Sequence, residues 1–206
     1  MILVIGNKNY SSWSLRPWIA MRVLGLKFDE KRIPLYGPGA KEQILLESPA
    51  GKVPILVDGA TRVWDSLAIL EYLAESHPRL WPAERAGRAR ARSLCAEMHS
   101  GFANLRNHMS MNVRKRYPGK GRTPDVLSEV KRMNSIWSEA RGPFLFGDFS
   151  AADAMYAPVV LRFRTYEVEV DNRAYYDAVL ALPAMKEWIA AAEREKESIP
   201  QFDLYG

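Results

Sequence analysis

Ser48 to Leu73 reads SPAGKVPILVDGATRVWDSLAILEYL, and this stretch decides the fold. Pro49-Ala50-Gly51 is a loop, and Val53 to Val57 is a short apolar strand with a proline near its start. Asp58-Gly59, set between two strand-like runs, is the strongest short hairpin signal a sequence carries. Thr61 to Trp64 is the return strand, and Asp65 stands where a helix N-cap belongs, ahead of Leu67, Ile69, Leu70, Tyr72 and Leu73. Pro54 cannot donate to a strand ladder, so it marks an edge, a bulge or a cis bond. A cis bond would turn the Val53 N–H and C=O outward, where an extended peptide could pair with them. Asp65-Ser66 opens a helix, which sets free backbone donors and a positive dipole end beside a carboxylate and a hydroxyl. That combination suits a small zwitterion, with amides and Ser66 for its carboxylate and Asp65 for its ammonium. Taken singly, each feature also has a plain structural reading: a strand-start proline and an ordinary helix cap.

Upstream, Met1 to Ile5 is a compact apolar run, read as a buried strand. Gly6 to Ser12 is a polar turn. Trp13 to Leu24 has helical spacing closed by Gly25, and Pro17 places the helix start near Leu15 or Arg16. Phe28 to Leu35 reads as a second strand, Gly37-Pro38-Gly39 as a loop, and Lys41 to Glu47 as a short helix. The order is β-α-β-α-β-β-α. Downstream, the two prolines of His77-Pro78-Arg79-Leu80-Trp81-Pro82 mark a linker over 77–84 between a first domain, 1–76, and a second, 85–206. The second domain reads as all helix. A long helix runs from Glu84 to about Arg116, another from Pro124 to Arg141, a third from Ser150, and two shorter ones start near Asn172 and Leu182. Ser150 and Asp153 form a capping box, which we read as structural.

The proline pair Lys52-Val53-Pro54 and the helix start Asp65-Ser66, at this spacing, resemble the glutathione-binding half of the cytosolic glutathione transferases. An α/β domain followed by an all-helical one extends the resemblance over nearly the whole chain. It implies a thioredoxin-like first domain, a helical-bundle second domain, and glutathione as co-substrate without a metal. It also implies a cytoplasmic homodimer with a detoxifying role. Tyr10-Ser11-Ser12-Trp13-Ser14-Leu15-Arg16 further resembles the zeta-class motif Ser-Ser-Cys-Ser-X-Arg, which points to a serine-type, zeta-like bacterial branch. Aligned on the arginine, Ser11 falls on the family's catalytic serine and Ser12 on its neighbour.

Glutathione brings its own thiol, so the protein's task is to make it a thiolate. A thiol of pKa near 8.5 is mostly protonated at neutral pH, and a helix N-terminus with a hydroxyl donor favours the anion. The turn at Ser11 and Ser12 supplies both. Ser11 is the first choice as donor to the sulfur and Ser12 the next, while Tyr10 is a further donor. Trp13 stands where the zeta motif has cysteine, a departure that speaks against maleylacetoacetate isomerase activity. No cysteine lies near the turn, so reactions through an enzyme thiol are not expected. Arg16 is read as structural, pairing within the fold. Lys52 is either a partner for the glycyl carboxylate of glutathione or a solvated loop lysine; Val53 offers its backbone to the cysteinyl part, and Lys41 is a weaker candidate. The electrophile belongs between the domains, against the long helix. One stripe there is His99, Phe102 and Arg106, another is Ser100, Asn104, Asn107 and Met111; of these, His99, Phe102, Asn104 and Arg106 are the candidate substrate contacts.

Composition bounds the alternatives. With 206 residues, 48% hydrophobic and 26% charged, the chain can build an ample core. No stretch of about 18 apolar residues occurs, so no membrane partner is expected. The start MILVIGNKNYSS lacks the charged and long apolar regions of a signal peptide, and a single cysteine, Cys95, fits a reducing compartment. The net charge of +5 admits nucleic-acid affinity, but basic and acidic residues are interleaved, and attraction of an anionic tripeptide explains the charge equally well. The run Arg114-Lys115-Arg116…Lys120…Arg122 is read as a solvated loop. The leading expectation is transfer of glutathione to a small, partly apolar electrophile. Zeta-type isomerisation and a non-catalytic interaction module on the same fold are the alternatives.

Overall fold

A computed structural model of residues 1–206 shows a four-stranded mixed sheet and nine helices. In chain order these are β1 (Ile2–Ile5), α1 (Ser12–Val23), β2 (Asp29–Arg32), α2 (Ala40–Glu47), β3 (Ile55–Asp58), β4 (Thr61–Trp64) and α3 (Ser66–Ser76). There follow α4 (Arg85–Ser100), α5 (Ala103–His108), α6 (Pro124–Ser138), α7 (Ala151–Tyr166), α8 (Arg173–Ala181) and α9 (Pro183–Arg194). The sheet order is β2-β1-β3-β4, with β1 parallel to β2 and the remaining pairs antiparallel. This is the expected α/β thioredoxin-like arrangement followed by helices alone.

The strand chemistry follows from sheet position. β1 lies between two neighbours, and Leu3, Val4 and Ile5 are fully buried. β2 is an edge strand, so its DEKR sequence is exposed throughout and pairing stops at Arg32, short of the expected Leu35. The Asp58-Gly59 hairpin closes with Asp58 opposite Thr61, and Gly59 takes the left-handed φ of +57° that the tight turn requires. α1 begins at Ser12 rather than near Leu15, because Ser11 caps it by accepting from the Ser14 N–H; Pro17 is accommodated inside the helix.

The expected long helix from Glu84 to Arg116 is divided. α4 stops at Ser100, Gly101 has φ −98° and ψ −168°, and Phe102 takes a left-handed φ of +60° before α5 starts. A Cβ on Gly101 would come within 2.8 Å of the Glu97 carbonyl oxygen, so the chain needs glycine where it leaves the helix. From Met109 to Arg116 the chain is not helical. The capping box at α7 is present: the Asp153 carboxylate accepts from the Ser150 N–H and hydroxyl, both at 2.8 Å, and from the Leu145 N–H at 3.0 Å.

One hydrophobic core of 48 buried residues runs through both halves of the chain, with α1 packed on α7 at its centre. Trp18, Trp137 and Trp188 are its largest members. α7 is buried on nearly all sides, which explains why its sequence is apolar around the whole helix. Cys95 is fully buried, and burial pushes its thiol pKa upward. No helix is long and apolar enough to cross a membrane.

Candidate active site

Ser11 and Ser12 sit where β1 turns into α1, at the cap and first residue of the helix. Both are 5% exposed. The Ser11 and Ser14 hydroxyl oxygens lie 2.8 Å apart, and Ser14 Oγ accepts from the Gly6 N–H at 3.1 Å. When the Ser14 hydroxyl donates to Ser11, the Ser11 proton is left for a third group. Ser12 Oγ accepts from Arg162 Nη2 at 3.3 Å, so its proton is unclaimed as well. Tyr10, the further donor expected here, points its chemistry elsewhere. Its hydroxyl donates to Asp203 at 2.8 Å and accepts from the Ile199 N–H and from Arg114.

The second wall comes from the loop before β3 and the start of α3. The Val53-Pro54 bond is cis, and the Val53 N–H and C=O make no hydrogen bond within the chain. Lys41 donates to the Gly51 carbonyl at 3.0 Å and so holds this loop, while Lys52 is exposed and unpaired. Asp65 caps α3 from a positive φ of +76°, accepting from Leu67 N–H at 2.8 Å. Its other oxygen lies 3.3 Å from His99 Nε2. That cap leaves the Ser66 N–H unclaimed at the positive end of the helix. The Ser66 hydroxyl is buried and accepts from Arg16 Nη1 at 3.3 Å.

Three guanidinium groups gather around Ser12, Trp13 and Ser66. Arg16 is 1% exposed and has no carboxylate partner; the pairing expected within the fold is replaced by the Ser66 hydroxyl and the face of Trp13, 4.2 Å from the ring centroid. Arg106 covers Trp13 at 4.8 Å, anchored by its contacts to the carbonyls of Gly101 and Met98. Arg162 reaches Ser12 and the Met109 carbonyl. None of the three forms an ion pair. Burial first, and the mutual repulsion of the cluster second, lower the pKa of Arg16 and of Arg162 to about 9. Two buried guanidinium groups and a half-buried third, none with a carboxylate partner and close to free N–H groups, can receive an anion.

The structure thus brings Ser11, Ser12, Asp65 and Ser66 together with His99 and Arg106; His99 stands edge-on to Trp13 with ring centroids 5.2 Å apart. Phe102 is buried in the core. Asn104 is engaged apart from the others, since its side chain donates to Glu129, whose carboxylate also accepts the Asn104 and Leu105 N–H groups. Arg162 escaped the sequence reading. Its signal was an arginine within the apolar run of α7, a charge with no polar face to occupy. No three His, Cys, Asp or Glu side chains gather in a way that could hold a metal ion.

Comparison with known proteins agrees with this geometry. Residues 10–76 match the family description "Glutathione S-transferase, N-terminal domain", and residues 86–191 match "Glutathione S-transferase, C-terminal domain". The chain is 31% identical over 171 residues to maleylacetoacetate isomerase of Rattus norvegicus, covering 78% of this chain and 77% of that one. Among solved structures, a bacterial zeta-class maleyl pyruvate isomerase superposes with a TM-score of 0.70 at 22% identity, covering 96% of this chain and 100% of the other. A maleylacetoacetate isomerase from Methylobacterium extorquens AM1, with bound malonate and glutathione, gives a TM-score of 0.71 at 23% identity, covering 97% and 100%.

Proposed function

Because the chain belongs to the glutathione S-transferase family, we propose that it is a glutathione-dependent isomerase of the zeta type, acting on a small unsaturated dicarboxylate. Isomerisation takes precedence over the transfer expected first, since the relatives 30% and 31% identical over 78% of the chain are maleylacetoacetate isomerases. Trp13 in place of the motif's cysteine does not stand against it, because the reacting sulfur comes from glutathione. The observation that carries the reading is the unpaired cluster of Arg16, Arg106 and Arg162 beside Ser11 and Ser12.

The residues fit glutathione. The free Val53 N–H and C=O pair with its cysteinyl backbone, the Ser66 N–H and hydroxyl receive its glutamyl carboxylate, and Asp65 its ammonium; Lys52 stands ready for the glycyl end. Glutathione supplies a sulfur nucleophile that adds to a conjugated cis double bond and leaves after rotation, so it is regenerated and no net oxidation occurs. Ser11 donates its free proton to that sulfur and lowers its pKa, assisted by the N-terminus of α1. Ser12 is the alternate donor. Arg106 and Arg162 hold the substrate carboxylates, and their charge favours electron density moving toward the conjugated carbonyl. Lying among the partly exposed Trp13, His99 and Arg106, the substrate is shielded from water on the Phe102 side.

The test is a cis-configured unsaturated keto-dicarboxylate incubated with enzyme and substoichiometric glutathione. Many turnovers of cis-to-trans conversion per glutathione are expected. Glutathione consumed one for one with an aryl halide, and no isomerisation, would return the assignment to transfer. Absence of glutathione binding at millimolar concentration would return it to the interaction module. The reading includes a homodimer in the cytoplasm, as the family resemblance implies; light scattering at twice the chain mass of 23.4 kDa checks the dimer.

A further inference from the structure

The turn that presents Ser11 is tied down from outside its own domain. The N–H groups of Lys8 and Asn9 both donate to one carboxylate, Glu195, at 2.7 and 3.0 Å. The Asn9 side chain accepts from the Arg114 N–H at 2.9 Å and donates to Asn112 at 3.0 Å. Asn112 in turn donates to Asp203 at 2.7 Å, the same carboxylate oxygen that receives the Tyr10 hydroxyl. Arg114, expected in a solvated loop, is half-buried instead, and its guanidinium donates to the carbonyls of Glu195 and Glu197 and to the Tyr10 hydroxyl. Each residue from Lys8 to Tyr10 is therefore bonded to the stretch after α9 or to the Asn112–Arg114 segment that holds that stretch in place.

We propose that the C-terminal segment Glu195–Asp203 is a positioning clamp for the thiol-activating turn, with Glu195 and Asp203 setting the placement of Ser11 without touching the reacting atoms. Ser11 is covalently next to Tyr10, and its N–H donates to the Asn7 carbonyl at 2.8 Å, so the clamped run fixes both its position and its direction. A hydrogen-bond donor displaced by about 1 Å from a sulfur loses most of its effect. The carboxylate of Glu195 satisfies two turn amides that the sheet leaves unpaired, which a hydroxyl or an alkyl group cannot do. Glutathione itself is received by Val53 and Ser66, on other elements, so the clamp governs activation of the thiol and not capture of the peptide. This inference rests on the reading of Ser11 as the donor.

The experiment uses the full chain as wild type, Glu195→Ala, Asp203→Ala, Tyr10→Phe and the Tyr10→Phe/Asp203→Ala double variant. Ultraviolet absorbance of the bound thiolate is titrated against pH, glutathione affinity is measured by calorimetry, and kcat is measured at neutral pH. In folded Glu195→Ala and Asp203→Ala the bound thiol pKa is expected to rise by about one unit and kcat to fall about tenfold, with glutathione affinity within about twofold of wild type. Tyr10→Phe is expected to match Asp203→Ala, and the double variant to be no worse than either single one. If Glu195→Ala does not fold, Asp203→Ala, on the partly exposed tail, carries the same expectation. Folded variants with the wild-type thiol titration and kcat would overturn the clamp. So would a Tyr10→Phe cost that persists undiminished in the Asp203→Ala background, since Tyr10 would then act on the sulfur itself. A wild type that binds glutathione without forming thiolate would instead remove the activation reading, and the clamp with it.

Discussion

With Ser11 read as the donor to the sulfur, Ser14 is the residue on which its chemistry turns. It accepts from the Gly6 N–H and shares a 2.8 Å hydrogen bond with Ser11, so it decides which of the two hydroxyls has a proton to give away. Ser14→Ala leaves Ser11 in place but takes away the hydroxyl that donates to its oxygen and directs its proton outward, and removes the partner of a buried N–H. We expect kcat to fall roughly tenfold with little change in glutathione affinity, at a stability cost of about 1–2 kcal/mol. Unchanged kcat in folded protein would assign the proton differently. Ser66→Ala should do the reverse, weakening glutathione binding about tenfold in calorimetry while the titration of the bound thiol stays put. The placements of Ser11, Val53 and Ser66 were legible because each depends on neighbours within a few residues: a strand end, a proline, a helix start. Arg162 meets Ser12 across 150 positions and Tyr10 meets Asp203 across 193, and no local pattern announces such pairs.

Two elements place the distant groups, and each depends on one residue. The divide between α4 and α5 lets His99 and Arg106 both reach Trp13, although an unbroken helix was expected. Apolar spacing continues past Gly101 at Phe102, Leu105 and Met109, so the glycine alone marked a stop and the spacing overrode it; the backbone crowding by Glu97 that requires glycine appears only in three dimensions. Gly101→Ala should destabilise the fold by about 1–3 kcal/mol and raise KM for the anionic substrate, because Arg106 bonds the Gly101 carbonyl. The start of α7, which carries Arg162, depends on Asp153. That cap was readable as Ser-x-x-Asp before an apolar run. Burial raises the Asp153 pKa to about 6, above its unfolded value near 4. The folded state then holds this proton more tightly, so this group's contribution to stability declines as pH rises from about 4 to 6. Asp153→Ala should lower soluble yield and thermal midpoint, lose that component of the pH dependence, and leave activity per folded molecule near wild type. A large loss of activity in well-folded protein would contradict a structural role.

At the scale of the whole molecule, the joint between the two halves is held by a core that contains its own electrostatic opposition. α1 contributes Arg16, and the later helices contribute Arg106 and Arg162, so packing α1 on α7 brings like charges together out of water. The folded pKa of about 9 for Arg16 and Arg162 lies below the unfolded value, so each charge opposes folding throughout the neutral range, and the penalty eases only as pH rises through about 9. Asp65 and Glu129 oppose this only from a distance, since neither pairs with any of the three; on the isomerase reading, a bound dicarboxylate supplies the rest of the offset. Two consequences follow from one cause. Arg162→Met, which replaces a buried unpaired charge by an apolar chain of similar reach, should hold or raise the thermal midpoint of the free protein while abolishing isomerisation. A dicarboxylate such as malonate at about a hundred times its dissociation constant should stabilise the wild type by about 3 kcal/mol, a rise in midpoint on the order of 5–10 °C. In Arg162→Met that rise should shrink to a fraction. Equal stabilisation of both proteins would place the anion away from the cluster, and a steep fall in the midpoint of free Arg162→Met would make Arg162 a structural residue after all.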